Sequence, residues 1–110
     1  MKKTVTLCGN PVTLVNNALL PRRYRNRFGQ DLLVDMQEMV DAYKEKKDFK
    51  PEVLENITWL MLKEGGEQVG ETPEEWLAGL DDPFCIYEIM GDVVALWNAG
   101  RKTTSVPKKK

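Results

Sequence analysis

Apolar residues recur at helical spacing in three stretches of this chain, and prolines and glycines cut each stretch short. The first stretch is Leu32, Leu33, Met36, Met39, Val40 and Tyr43, with Asp35, Glu38, Asp41 and Lys44 on the wet side. It predicts a helix from about Asp31 to Tyr43, followed by a charged connection from Lys44 to Lys47. The second stretch is Val53, Leu54, Ile57, Leu60 and Met61, opened by Asp48 to Pro51 and ended after Glu64 by Gly65-Gly66. The third is Ile86, Tyr87, Met90, Val93, Val94 and Trp97, on a helix expected from Phe84 to about Asn98 with Gly100 as its stop. A chain patterned this way folds as short amphipathic helices that bury their stripes against one another.

Smaller signals complete the outline. Pro21 suits the first turn of a short helix to Phe28, with Gly29 as a left-handed stop. Tyr24 and Phe28 lie four apart and share its face. Thr72-Pro73-Glu74-Glu75 reads as a capping box, with Glu75 returning to the cap amide, and Asp82-Pro83 repeats the cap-plus-proline device. At the amino end, Val5 and Leu7 alternate with Thr4 and Thr6, Gly9-Asn10 offers a turn, and Val12 and Leu14 alternate with Thr13, so residues 4–15 predict a β-hairpin. The expected fold is mainly α, with four to five short helices in a compact bundle behind that hairpin. One domain takes residues 1–100, and residues 101–110, ending in Lys108-Lys109-Lys110, form a disordered basic tail.

Composition excludes several function classes. With 16 basic and 17 acidic residues, the net charge of −1 gives the whole molecule no bias toward nucleic acid or membrane. No apolar run approaches the roughly 20 residues that span a bilayer. Asn10 and Pro11 interrupt the amino-terminal stretch before a signal-peptide core forms. The expectation is therefore a cytoplasmic protein. In a reducing compartment Cys8 and Cys85 are expected as free thiols, with a disulfide as the alternative.

Histidine is absent, which removes the usual general base near neutral pH and the commonest metal ligand. Ser105, the one serine, lies in the expected tail. Gly65, Gly66 and Gly70 lack the Gly-Lys-Ser/Thr that would follow in a phosphate loop. Asp31 with Asp35, and Asp81 with Asp82, read as charged faces and caps. The expectation is a protein with no catalytic residues, no metal and no cofactor, which acts by binding.

Two groups of residues are candidates for that binding. Arg22, Arg23, Arg25 and Arg27 surround Tyr24 and precede Phe28, a basic patch with aromatic interleaving that can meet phosphates. A small nucleic-acid-binding or regulatory protein using Arg22 to Arg27 is the alternative functional reading. The other group is Trp59, Trp76 and Trp97. Trp59-Leu60-Met61-Leu62 is apolar around a whole turn and must be covered, by the core or by a partner. Met36, Met39, Met61 and Met90 offer either core filling or an adaptable surface.

Tyr24-Arg25-Asn26-Arg27-Phe28-Gly29-Gln30-Asp31-Leu32-Leu33 resembles the YR-x-x-FG-x-DLL segment of tail assembly chaperones from siphophages and prophages of Gram-positive bacteria. The resemblance continues through Pro51-Glu52-Val53-Leu54-Glu55-Asn56, Thr72-Pro73-Glu74-Glu75-Trp76-Leu77, Ile86-Tyr87-Glu88-Ile89 and Leu96-Trp97, and into the ending Thr103 to Lys110. The stretch from Glu64 to Glu71 is more glycine-rich than that pattern. The resemblance implies a non-enzymatic protein that keeps the tape-measure protein soluble, helps recruit tail-tube subunits, and leaves before the virion is complete. It also implies the bacterial host cytoplasm as its location. A longer form made by frameshifting near the terminal lysines, and self-association, are further expectations.

Overall fold

The structure, a computed structural model, describes residues 1–105. Its elements run β1 (Lys2–Leu7), β2 (Asn10–Val15), α1 (Leu20–Phe28), α2 (Leu32–Glu45), α3 (Pro51–Glu64), α4 (Pro73–Ala78), α5 (Cys85–Glu88) and α6 (Met90–Ser105). The chain is mainly helical with an amino-terminal hairpin, as the periodicity predicts.

The two strands pair antiparallel with Leu7 opposite Asn10 and Lys2 opposite Val15. The turn is therefore Cys8-Gly9, one residue earlier than the expected Gly9-Asn10. Cys8 has φ 50° and Gly9 has φ 84°. A two-residue turn with both φ positive matches the right-handed twist of the strands, which leaves Asn10 free to join the ladder. Val5, Leu7 and Leu14 face inward and are buried. The hairpin rests on the end of α3. The Thr13 amide donates to the Glu67 carboxylate at 2.8 Å. Gly65 passes so close to the Thr13 carbonyl that a Cβ at this position would collide with it. The hairpin's open end closes with a reciprocal Met1–Asn16 backbone pair, and Asn16 Nδ2 donates to the Leu96 carbonyl of α6.

The helix ends follow the local chemistry with three exceptions. Gly29 takes φ 70° and its amide donates to the Arg25 carbonyl at 2.8 Å, which stops α1. Asp31 caps α2 by accepting from the Leu33 amide at 2.9 Å. Thr72 Oγ1 caps α4 by accepting from the Glu75 amide at 3.1 Å. Glu75, however, accepts from the amide of Glu71 and not from the cap residue's own amide, so the box is shifted by one position. The second exception is the last helix, which breaks at Ile89. The Ile89 amide donates to the Ile86 carbonyl, three residues back, and α6 starts afresh with Val93 donating to the Ile89 carbonyl at 3.0 Å.

α6 also continues through Gly100 to Ser105, so Gly100 is not the stop and the helix enters the expected tail. The remainder of that tail, residues 106–110, lies outside the described residues.

The core draws on every layer. Leu14, Leu20, Tyr24, Leu32, Met36, Met39, Leu54, Ile57, Met61, Leu62, Ile89 and Val93 are the most completely enclosed side chains. Met36, Met39, Met61 and Met90 are all buried, so they fill the core and do not form an adaptable surface.

Cys8 and Cys85 form a disulfide, against the expectation of free thiols. Their Cα atoms stand 5.3 Å apart, inside the usual range for a bridge, because the hairpin turn docks on the start of α5. A separation of 77 residues gives no hint of that approach in the primary structure.

Candidate partner-binding surface

α1 packs against both α2 and α3, with Leu20 and Tyr24 buried. Helical spacing then places all four arginines outside. Arg23 Nε pairs with Glu64 at 2.6 Å. Arg27 Nη2 donates to the Glu71 carbonyl at 2.6 Å, and its guanidinium lies 5.2 Å from the centre of the Trp59 ring. Both side chains thus tie α1 to α3 and to the loop after it. Arg22 and Arg25 are exposed and make no ion pair among the described residues.

The interleaved aromatics are unavailable for stacking on a base. Tyr24 is buried and its hydroxyl donates to Asp35 at 2.8 Å, while Phe28 packs against both Tyr24 and Trp59. Burial, then the hydrogen bond to Asp35 and that residue's charge, hold the Tyr24 phenol above the ordinary tyrosine range.

The tryptophans are enclosed as well. Trp59 is 2% exposed, Trp97 7% and Trp76 8%. The Trp59 indole donates to the Val69 carbonyl at 3.1 Å, and Lys63 Nζ lies 5.3 Å from the centre of its ring. These residues serve the core, the alternative that their sequence context left open.

The exposed aromatic surface lies elsewhere. Tyr43 is 47% exposed, Tyr87 42% and Phe84 67%. Phe49 meets Tyr87 edge to face at 6.4 Å, and the Tyr43 hydroxyl rests against Gly91. Phe84, which caps the start of α5, and Tyr87 within it lie three residues apart and are both exposed. Together they form an apolar row from the end of α2, across the connection to α3, to α5.

Beside this row is a cleft of about 590 Å³ lined by Ala42, Tyr43, Lys44, Lys46, Lys47, Phe49 and Met90. Lys46 caps α2 with φ 57°, which turns the chain sharply and brings the lysines to the cleft's rim. Tyr43 and Tyr87 satisfy the helical stripe in sequence, and this small domain has too little interior to enclose them. The visible signal was the Lys44–Lys47 run beside Tyr43 and Phe49.

A second electrostatic feature is acidic. Glu55 is held above the ordinary glutamate range, by partial burial first and then by the carboxylates of Glu52 and Glu74. Among the described residues, no three His, Cys, Asp or Glu side chains gather as a metal-binding set. No described helix is long and apolar enough to cross a membrane. What the exposed row and its lysines can do is hold apolar side chains and pair with carboxylates.

No protein-family model, curated protein or solved structure matches this chain.

Proposed function

We propose that the protein is a phage tail assembly chaperone, which binds the tape-measure protein, keeps it soluble and helps recruit tail-tube subunits without chemistry of its own. The observation that carries this reading is the row of exposed rings, Tyr43, Tyr87 and Phe84, beside a lysine-rimmed cleft on a domain whose tryptophans are already enclosed. Exposed apolar surface of this kind marks a site for another macromolecule. The resemblance to chaperones of siphophages and prophages supplies the identity of the client. Its most extended segment, Tyr24 to Leu33, is the corner between α1 and α2, closed by Gly29 and the Asp31 cap. The account places the protein in the host cytoplasm and outside the finished particle, with a longer frameshifted form and self-association as parts of the same proposal.

The test is to follow the protein through infection or induction. The chaperone reading expects it to co-purify with the tape-measure protein from lysates and to be missing from purified virions. Its presence in virions in tail stoichiometry would make it a structural tail component. Salt-dependent retention on DNA, abolished by Arg22→Glu with Arg25→Glu, would favour the nucleic-acid reading.

A further inference from the structure

We infer that the cleft beside Tyr43 takes one face of an amphipathic helix that carries acidic residues, and that this is how the client is held. The inference rests on the chaperone reading for the identity of the client, and on the geometry for the chemistry of the segment.

Three observations lead there. The rim carries Lys44, Lys46 and Lys47, while no carboxylate lines the cleft. The acids nearby in sequence are Asp41, which accepts from the Gln37 side-chain amide at 3.0 Å, Glu45, which pairs with Lys47 at 2.7 Å, Asp92, which pairs with Lys3 at 3.1 Å, and Asp48 and Glu88. The charged side chains that line the cleft itself are all lysines, and they favour a segment of opposite charge. The floor is apolar, made by Ala42, Phe49 and Met90, so it suits inserted side chains better than a flat base. Finally, the backbone around the cleft is already bonded, with the amides of Lys46 and Lys47 both donating to the Ala42 carbonyl. No sheet edge is offered, so the segment must satisfy its own backbone, and a helix does that. Anchors spaced one turn apart would meet Tyr43 and Phe49 first, then Tyr87 and Phe84, which themselves lie three residues apart.

The experiment uses the full chain and its cognate tape-measure protein, first co-expressed and then supplied as synthetic peptides of about two to three heptads tiling the client. Three proteins are compared: the wild type, a reversal combining Lys44→Glu, Lys46→Glu and Lys47→Glu, and a control combining Arg22→Glu and Arg25→Glu. A fourth, Tyr87→Ser, probes the apolar row without altering charge. All are exposed positions, and matching circular dichroism confirms that each variant folds.

The expected result is that the wild type and the arginine control retain acidic amphipathic peptides equally. The lysine reversal should weaken binding about tenfold or more, as several pairs turn repulsive, and Tyr87→Ser should weaken it about threefold or more. If the wild type holds the client and the lysine reversal holds it equally, the surface assignment is overturned and the chaperone reading stands. Capture of basic peptides in preference to acidic ones has the same meaning. If the wild type holds no client at all, both fall. Oligothymidylate that displaces the peptides from the wild type would assign the lysines to nucleic acid and also overturn the proposal.

Discussion

Cys8, in the hairpin turn, is bonded to Cys85 at the first position of α5, so the amino-terminal hairpin is covalently closed onto the segment that precedes α6. The bridge holds α5 against β1, and α5 with its cap residue presents Tyr87 and Phe84. Cross-linking residues this far apart removes freedom from the unfolded chain.

Reduction should therefore lower stability by about 2–4 kcal/mol. The check is the urea midpoint with and without dithiothreitol, repeated on Cys8→Ser with Cys85→Ser, which should match the reduced wild type and no longer respond to the reagent. Alkylation of the denatured, unreduced protein should label neither cysteine. Two labelled thiols would show that the bridge is open in the isolated protein, as in a reducing compartment.

Tyr24→Phe removes the donor from a buried Asp35 and should cost about 1–3 kcal/mol, since the carboxylate then lacks its partner. Folding keeps the Tyr24 phenol protonated beyond the ordinary tyrosine range. Its contribution is thus complete below that range and is lost as pH rises through the folded-state value. Stability measured in urea should fall on the alkaline side in the wild type, and fall less steeply in Tyr24→Phe. A phenolate absorbance change from Tyr24 should accompany unfolding and not precede it.

At Glu55 the sign works in favour of substitution. Partial burial and the neighbouring Glu52 and Glu74 raise its carboxyl above the ordinary range, so folding disfavours the charged form. Glu55→Gln should raise the urea midpoint at neutral pH. The gain should fade as pH falls below the ordinary glutamate range, where Glu55 is protonated in both states. An unchanged difference across the acid range would show that the charge on Glu55 is not its cause.

The elements themselves were legible because their signals are local. The Asp31 and Thr72 caps and the Gly29 stop each act within one or two turns and appear where the pattern predicts. The stripe from Leu32 to Tyr43 holds only in part: Leu33 and Tyr43 are exposed, and Asp35, expected on the wet side, is buried because the Tyr24 hydroxyl donates to it. Contacts between distant parts of the chain were not legible. Nothing near Cys8 announces Cys85, and Trp59 reads identically whether its partners are Phe28 and Val69 or another protein. The break at Ile89 carries no proline or glycine at that position to mark it. The candidate surface was hidden by the same ambiguity: periodicity places Tyr43 and Tyr87 on apolar stripes, but only the assembled fold decides which part of a stripe is covered.

The most direct measurement is the fraction of tape-measure protein that remains in the supernatant after centrifugation, expressed alone or together with this chain. The chaperone account predicts that the client sediments alone, and that with the chain present it stays soluble and elutes with it as one complex. A client that sediments equally in both cases, with nothing co-eluting, would contradict the account.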